Sequence, residues 1–452
     1  MSRKISFMAL LIAVFWMCGG MRAFASESVV LEVGADTPAV VAGKTHRVIA
    51  RALVRPSEEI RRPRAPIAAA LVIDKSGSMG ADGKMENAKR GAMEALRSLG
   101  NEDYAAVIAY DTKAFVLVKT ASVRELGHFE PSISRLRPEG NTALYDGVKL
   151  SAKEIARFAE KGYIPRIILL SDGLANVGPS SARELAALGR ELSRRELTIT
   201  TIGLGLDYDE DTMTALASES GGNAYFAKTS DSLEDIFRRD MQDAVAITGR
   251  QVRVTLSCGE NVKPIRALGR EGKTRDAAIE VDIDNLYGSE KYAIFELEVP
   301  ASEKGTTLRA GTVKVEYTDA ATGSTVTLES PLSIEYTEDE SRAVSLRNVE
   351  ITSQAEMARN AEILETAVKL ADEGKSEEAS EMLKERADYL ANPEYALDEK
   401  AKQDAEYISS LASGIAEQGE MSNEQRKSSV NRAYAAKNQQ SEVTSRDARD
   451  TD

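Results

Sequence analysis

From residue 65 to residue 247 the chain alternates short, continuously apolar segments with longer amphipathic ones. Apolar segments of that length are typical of strands buried on both faces, which occur where helices cover both sides of a parallel sheet. The pattern therefore predicts a doubly wound, mostly parallel α/β fold. We expect strands at residues 68–73, 105–110, 114–118, 166–170, 198–203 and 224–227, and helices at residues 84–98, 144–160, 180–194, 210–219 and 231–242.

The segments on either side of this region, residues 26–64 and 248–340, have a different pattern. Apolar residues stand at every second position, as in Val29, Leu31 and Val33, which is typical of half-buried strands. Neither segment alone carries many strands, and a small group of strands needs a partner sheet to bury its apolar face. We therefore expect the two segments to form one β-sandwich, with the α/β domain, residues 65–247, inserted between them.

The C-terminal part of the chain is predicted to be helical. Residues 341–420 show helical spacing of apolar residues, with a break at Gly374-Lys375 between two helices and a third helix expected at 396–416. No repeat of fixed period follows, so a lone helical hairpin packed on the body is favoured over a repeat array. The tail, residues 421–452, is polar and is expected to be disordered.

Residues 1–25 have the features of a signal peptide. A basic start is followed by an apolar run at residues 5–17 and by the small-x-small site Ala23-Phe24-Ala25. We expect cleavage after Ala25 and a periplasmic or secreted mature protein, with an uncleaved N-terminal anchor as the alternative. Cleavage leaves Cys258 as the one cysteine, so no internal disulfide is expected.

Length and charge limit the classes of function. A chain of 452 residues is expected to hold several domains, and a formal net charge of -14 disfavours binding to nucleic-acid backbones and to anionic lipid surfaces. After the leader, no segment has the length and apolarity that a membrane span requires, so no span is expected in the mature chain. The oligomeric state is left open.

Oxygen-bearing side chains follow the first predicted strand of the α/β region. Asp74, Ser76 and Ser78 form an Asp-x-Ser-x-Ser loop at the strand end where open α/β sheets bind ligands. Carboxylate and hydroxyl oxygens are ligands of hard cations, so the loop indicates a Mg²⁺ or Mn²⁺ site, and Ca²⁺ is not distinguished from them. The alternative is that Asp74 caps the following helix while the serines bond the loop.

Two further segments, residues 140–146 and 169–173, are expected at the same edge of the sheet. The three segments, in this order, resemble the metal-ion-dependent adhesion site (MIDAS) of von Willebrand factor type A (VWA) domains. The resemblance extends through residues 201–205 and 220–226, which look like the last strands of such a domain. It implies that hydroxyls and carboxylates bind the cation directly or through water, the metal ligands being Asp74, Ser76, Ser78, Thr142 and Asp172.

The resemblance also implies a function. One coordination position of the cation would stay open to an Asp or Glu carboxylate of a protein partner, so we expect a non-enzymatic, cation-dependent adhesion or scaffold module. The order of leader, strands, VWA domain, strands and helices is similar to bacterial secreted VWA proteins often labelled calcium-activated chloride channel-like. Two alternatives stay open: a cell-envelope assembly component in which the metal is structural, and a hydrolase that uses the cation as a Lewis acid.

Several other signals are set aside. Residues 77–84 superficially resemble a phosphate-binding loop but lack its spacing, so no nucleotide site is predicted. His46 and His128 lie outside the metal-site segments, which leaves a catalytic nucleophile without an evident base. Lys75 is expected to point to solvent. Asp209 and its acidic neighbours are expected to stabilise a helix N-terminus and not to bind calcium.

Overall fold

The computed structural model describes residues 22–25, 28–57, 65–228, 232–392 and 397–440. Most of the predicted leader, residues 1–21, lies outside the described residues, as does the end of the tail from residue 441. The described chain begins with the strands β1 (Arg22–Ala25), β2 (Val29–Ala35), β3 (Ala39–Val41) and β4 (His46–Pro56). Every second residue of β2 is buried, as the alternation predicted.

The α/β region follows. Its strands are β5 (Ile67–Asp74), β6 (Tyr104–Tyr110), β7 (Ala114–Ser122), β8 (Ile164–Ser171), β9 (Thr198–Leu204) and β10 (Ala224–Ala227). Its helices are α1 (Lys84–Ser98), α2 (Glu130–Ser134), α3 (Leu144–Ala159), α4 (Ala182–Ser193), α5 (Glu210–Ser220) and α6 (Leu233–Val245). Every strand and helix predicted for this region is confirmed to within a few residues, and the short helix α2 was not predicted.

The strands of the α/β region form one six-stranded sheet in the order β10-β9-β8-β5-β6-β7. Neighbouring strands are parallel except for β7, which is antiparallel to β6 at the edge. Every residue of β5 is buried, because helices pack on both faces of the sheet over separate apolar cores. This is the doubly wound, mostly parallel sheet that the apolar segments predicted.

The strands after the α/β region are β11 (Gly249–Cys258), β12 (Lys263–Leu268), β13 (Gly272–Arg275), β14 (Ala278–Leu286), β15 (Lys291–Val299), β16 (Thr307–Asp319) and β17 (Thr325–Thr337). They combine with the first four strands into a five-stranded sheet, β1-β2-β4-β15-β12, and a six-stranded sheet, β13-β14-β11-β16-β17-β3. Both sheets therefore contain strands from either side of the α/β region. Leu31, Phe295 and Val254, among others, share one apolar core drawn from the two sheets.

Helices follow: α7 (Glu340–Ser345), α8 (Val349–Asp372), α9 (Ser376–Leu390), α10 (Glu399–Gln418) and α11 (Asn423–Asn438). Ile351 of α8 packs against Ile49 and Ile294, so β4 and β15 of the five-stranded sheet are covered on their second face. Helices α8, α9 and α10 share an apolar core of their own. None of the helices in the described part of the chain is long and apolar enough to cross a membrane.

The prediction that the whole tail is disordered is wrong for residues 423–440. Helix α11 begins with a capping box, in which Ser422 and Gln425 satisfy each other's backbone amides. After the helix, the Gln440 side chain pairs with both backbone groups of Ala224 on the edge strand β10, at 3.2 Å and 2.9 Å. The polar composition indicated that the segment could bury too little apolar area to fold, but specific polar contacts fix it to the rest of the chain. The spacing Ser422-x-x-Gln425 was the signal that could have revealed the helix.

Candidate functional site

The segments that carry the predicted ligands meet at the carboxyl edge of the α/β sheet. Strand β5 ends at Asp74 and runs parallel to β8, which ends at Ser171, so the two strand ends are neighbours. The Gly77 amide donates to the Gly140 carbonyl at 3.1 Å, which ties the loop after β5 to the loop that leads into α3. Thr142 lies in that second loop. The topology therefore places all three predicted segments around one point.

Side-chain oxygens from these segments lie within contact distance of one another. The Ser76 and Ser78 hydroxyls are 3.0 Å apart, and the Ser78 hydroxyl donates to Asp172 Oδ1 at 2.7 Å. A methyl carbon placed on Gly173 would lie 3.4 Å from Ser78 Oγ and 3.8 Å from Thr142 Oγ1, so both hydroxyls face the same glycine. Ser78 is exposed, whereas Ser76, Thr142 and Asp172 are buried. The cluster thus opens to solvent on the side of Ser78.

Asp74 lies at the bottom of the cluster. Its Oδ1 accepts the Ser76 amide at 2.8 Å, and its Oδ2 accepts the Ser171 hydroxyl at 2.7 Å. The N-cap residue of α1 is Gly83, so Asp74 does not cap that helix. The alternative interpretation also expected the serines to bond the loop, and the contact between Ser76 and Asp74 is of that kind. The same Asp74 carboxylate nevertheless faces the other predicted ligands.

The cluster buries more negative charge than its own cations balance. Burial raises the pKa of Asp74 to about 6, and the nearby charge of Asp172 adds to that rise, while the hydrogen bonds from Ser76 and Ser171 oppose it. In the part of the chain that the structure describes, the ammonium that contacts the cluster is that of Lys84, whose Nζ lies 2.9 Å from Asp172 Oδ2. This ion pair is not predicted from the sequence, where Lys84 only ends the segment 77–84 that superficially resembles a phosphate-binding loop.

Two neighbouring predictions have different outcomes. The expectation that Lys75 points to solvent is wrong: its side chain is buried, and its ammonium pairs with Asp111 at 2.6 Å and Glu139 at 2.7 Å. Lys75 therefore fastens the loop after β5 to the β6–β7 turn. The helix-terminal role predicted for Asp209 is confirmed, because its carboxylate accepts the Thr212 amide at the start of α5 at 3.1 Å.

The residues present suit a hard divalent cation. The donors are two carboxylates and three hydroxyls, all oxygen, which is the ligand chemistry of Mg²⁺ and Mn²⁺. Buried Asp74 has hydrogen-bond donors but, among the described residues, no cation in contact, so an added positive charge would offset the desolvation of its carboxylate. Within the described ranges no group of three or more His, Cys, Asp or Glu side chains is placed to hold a metal, so hydroxyl oxygens are essential to this donor set.

Three exposed apolar side chains stand on segments that adjoin the cluster. Leu174, 58% exposed, follows Asp172 by two residues, and Phe115, 37% exposed, has its ring centre 5.8 Å from the Lys75 ammonium. Leu206 is 40% exposed and stands on the loop after β9, where it follows Gly205, the residue that faces the Lys84 ammonium. Singly exposed apolar side chains are common on protein surfaces, so these three add apolar area near the cluster without by themselves defining an interface.

Residues 70–239 match the family model described as the von Willebrand factor type A domain. With the doubly wound sheet and the geometry at its carboxyl edge, this match shows that the chain contains a VWA domain. The chain is 28% identical over 281 residues to an uncharacterized protein of Synechocystis sp., a match that covers 60% of this chain and 66% of that protein. It is 24% identical over 187 residues to the uncharacterized protein YfbK of Escherichia coli, covering 41% of this chain and 32% of YfbK.

Two solved structures share most of the architecture. A von Willebrand factor type A protein from Catenulispora acidiphila has a TM-score of 0.61 at 17% identity, covering 86% of this chain and 98% of that one. The ArnB paralog VWA2 from Sulfolobus acidocaldarius has a TM-score of 0.57 at 19% identity, covering 91% of this chain and 98% of that one. The similarity therefore extends beyond the VWA domain to the flanking sheets and helices, and at these identities it concerns the fold alone.

Proposed function

We propose that this chain is an exported, divalent-cation-dependent protein-binding module of the adhesion or scaffold type, which uses a MIDAS. The observation that carries the proposal is the convergence of five oxygen-bearing side chains at the carboxyl edge of the VWA sheet, the ligands being Asp74, Ser76, Ser78, Thr142 and Asp172. Magnesium is the expected cation, with Mn²⁺ next. The order of leader and domains that resembles secreted VWA proteins supports export, and the chloride channel-like label stays a prediction.

The residues of the cluster have different roles in binding the cation. Asp74 and Asp172 supply the negative charge, and the hydroxyls of Ser76, Ser78 and Thr142 supply neutral ligands. When bound, the cation would offer an electrophilic position to a partner's Asp or Glu carboxylate. Exposed Ser78 lies on the open side, where such a carboxylate has access. The apolar side chains of Phe115, Leu174 and Leu206 then supply contact area around it.

The remaining domains have supporting roles in this proposal. We infer that the five-stranded and six-stranded sheets form one β-sandwich into which the VWA domain is inserted, because strands from both flanks share each sheet and one core. A rigid sandwich holds the VWA domain so that its carboxyl edge stays free for a partner.

Calorimetric titration of the mature chain with Mg²⁺ and with Mn²⁺ tests the proposal. We expect one cation per chain, with binding lost in Asp74→Ala and retained in Asp388→Ala, which removes a carboxylate from the exposed face of α9. Circular dichroism of each variant checks that the fold persists. Absence of cation binding by the natural chain, or equal binding by Asp74→Ala, would overturn the cation-dependent mechanism.

A second candidate function is that of a cell-envelope assembly component in which the metal is structural. The observation that favours it is that three further apolar side chains are exposed on the helical region, Val344, Val349 and Tyr389. If it holds, replacing all three with serine abolishes capture of a partner and Asp74→Ala leaves capture intact. The opposite pattern supports the MIDAS as the contact.

A further inference from the structure

A groove of about 600 Å³ lies on the VWA domain between α3, α4 and the β6–β7 turn. Its charged lining consists of four cations and two carboxylates: Lys113, Lys149, Lys153, Arg195, Asp146 and Glu191. The lining is therefore net positive in a chain whose formal net charge is -14. A local excess of the opposite sign creates a field that attracts acidic ligands.

The cations of the groove are exposed, and none of the four forms an ion pair with a carboxylate of the described residues. Two buried cations of the same domain are, by contrast, used internally: Lys84 is paired with Asp172, and Arg166 with Asp240. Lys149 also stands 5.7 Å from the centre of the Tyr145 ring. Ammonium and guanidinium groups that no internal carboxylate neutralises are available to a partner without first breaking an ion pair.

The groove begins beside the candidate metal site. The Ala143 amide, next to Thr142, donates to the Asp111 carbonyl at 2.7 Å, and the Asp111 amide donates to the Lys113 carbonyl at 3.0 Å. Lys149 and Lys153 stand one turn apart along α3, which starts two residues after Thr142. At ~1.5 Å per residue, Lys153 is about 15 Å along the helix from that ligand. An extended peptide covers this distance in roughly four to five residues.

We propose that the groove binds an acidic, extended segment of the same protein partner whose carboxylate reaches the metal site. The inference rests on the proposed function for the position of the first carboxylate. The binding of the following acidic residues is inferred from the charge and shape of the groove itself. Acidic residues up to about five positions beyond the metal-bound carboxylate would lie against Lys149 and Lys153. The partner is thus defined by a run of Asp or Glu, not by a single acidic residue.

Fluorescence anisotropy of the full chain with labelled hexaglutamate tests the inference, with hexaglutamine and a short single-stranded DNA as comparison probes. We expect hexaglutamate to bind in Mg²⁺, and Lys149→Glu/Lys153→Glu to weaken binding by about tenfold or more and to reduce its salt dependence. The matched control is Lys384→Glu/Lys400→Glu, which makes the same change of charge at exposed sites on α9 and α10. It should leave the affinity within about twofold of the natural chain.

The outcomes separate this inference from the proposed function. If Lys149→Glu/Lys153→Glu binds hexaglutamate as tightly as the natural chain does, the inference is overturned, whatever the effect of Mg²⁺. If Lys149→Glu/Lys153→Glu weakens hexaglutamate binding equally in EDTA and in the Asp74→Ala background, the groove binds the peptide and the metal site takes no part in peptide binding. Hexaglutamine binding as tight as hexaglutamate overturns the charge recognition. Equal or tighter binding of the DNA overturns the assignment to an acidic peptide.

Discussion

Replacing Lys427 with methionine is expected to loosen helix α11 from the VWA domain. The Lys427 side chain is buried, its ammonium pairs with Glu210 and donates to the Tyr208 carbonyl at 2.6 Å, and it lies 4.4 Å from the centre of the Tyr208 ring. Methionine keeps the apolar stem but removes the charge and all three donors. The Tyr208 carbonyl and one oxygen of Glu210 then lose a buried partner.

The expected cost follows from these contacts. Removing one partner of a buried ion pair destabilises by about 3–5 kcal/mol, because the other charge stays buried. Glu210 keeps a second partner in Arg426, so we expect Lys427→Met to cost less than this range, about 2 kcal/mol. At about 1.4 kcal/mol per factor of ten, α11 should open about thirtyfold more often.

Amide hydrogen exchange measured over residues 423–438 reads this opening directly. Protection of α11 should fall in Lys427→Met and in Glu210→Gln, with the double variant less affected than the sum of the two. Lys400→Met, at an exposed site on α10, is the control and should leave α11 unchanged. Unaltered protection of α11 in Lys427→Met would refute the claim that this ion pair holds the tail.

Two further predictions concern charge. Lys84→Met removes the ammonium beside Asp172, so calorimetry should show Mg²⁺ binding that is roughly tenfold tighter or more. The control is Lys89→Met, on the same helix but paired with Glu86, which should not change the affinity. Burial and the charge of Asp240 raise the pKa of Asp243 to about 6, so its contribution to stability is present at pH 4 and lost as the pH rises through 6. Asp243→Asn should therefore stabilise the domain by about 1–2 kcal/mol at pH 7.5 and by almost nothing at pH 4 in urea unfolding; equal effects at both pH values would contradict this.

The α/β elements were predictable because burial on both faces leaves continuous apolar runs, and their short length distinguishes them from buried helices. Strand β7 shows the limit of that signal. Only residues 114–118 were predicted, yet the strand continues to Ser122. As the edge strand it is half exposed along most of its length, so its apolar pattern is weak.

The oxygen-bearing side chains of the candidate site were predictable from the sequence, but the Lys84 ammonium beside them was not. The positions of Asp74, Ser76 and Ser78 follow from a strand end and a short loop, which are local features of the sequence. The contact of Lys84 with Asp172 joins residues 88 positions apart and depends on where the first turn of α1 points. No spacing rule reveals such a pair.

The sequence by itself determined the sheet, its helices and the motif at its edge, because each depends on hydrophobic periodicity or turn chemistry within a few residues. Only the tertiary structure decided the place of the polar tail. Arg426 and Glu210, 216 residues apart, meet across the surface of the VWA domain. Whether a polar helix is ordered depends on partners that the rest of the fold supplies, and these partners leave no mark on the helix's own composition.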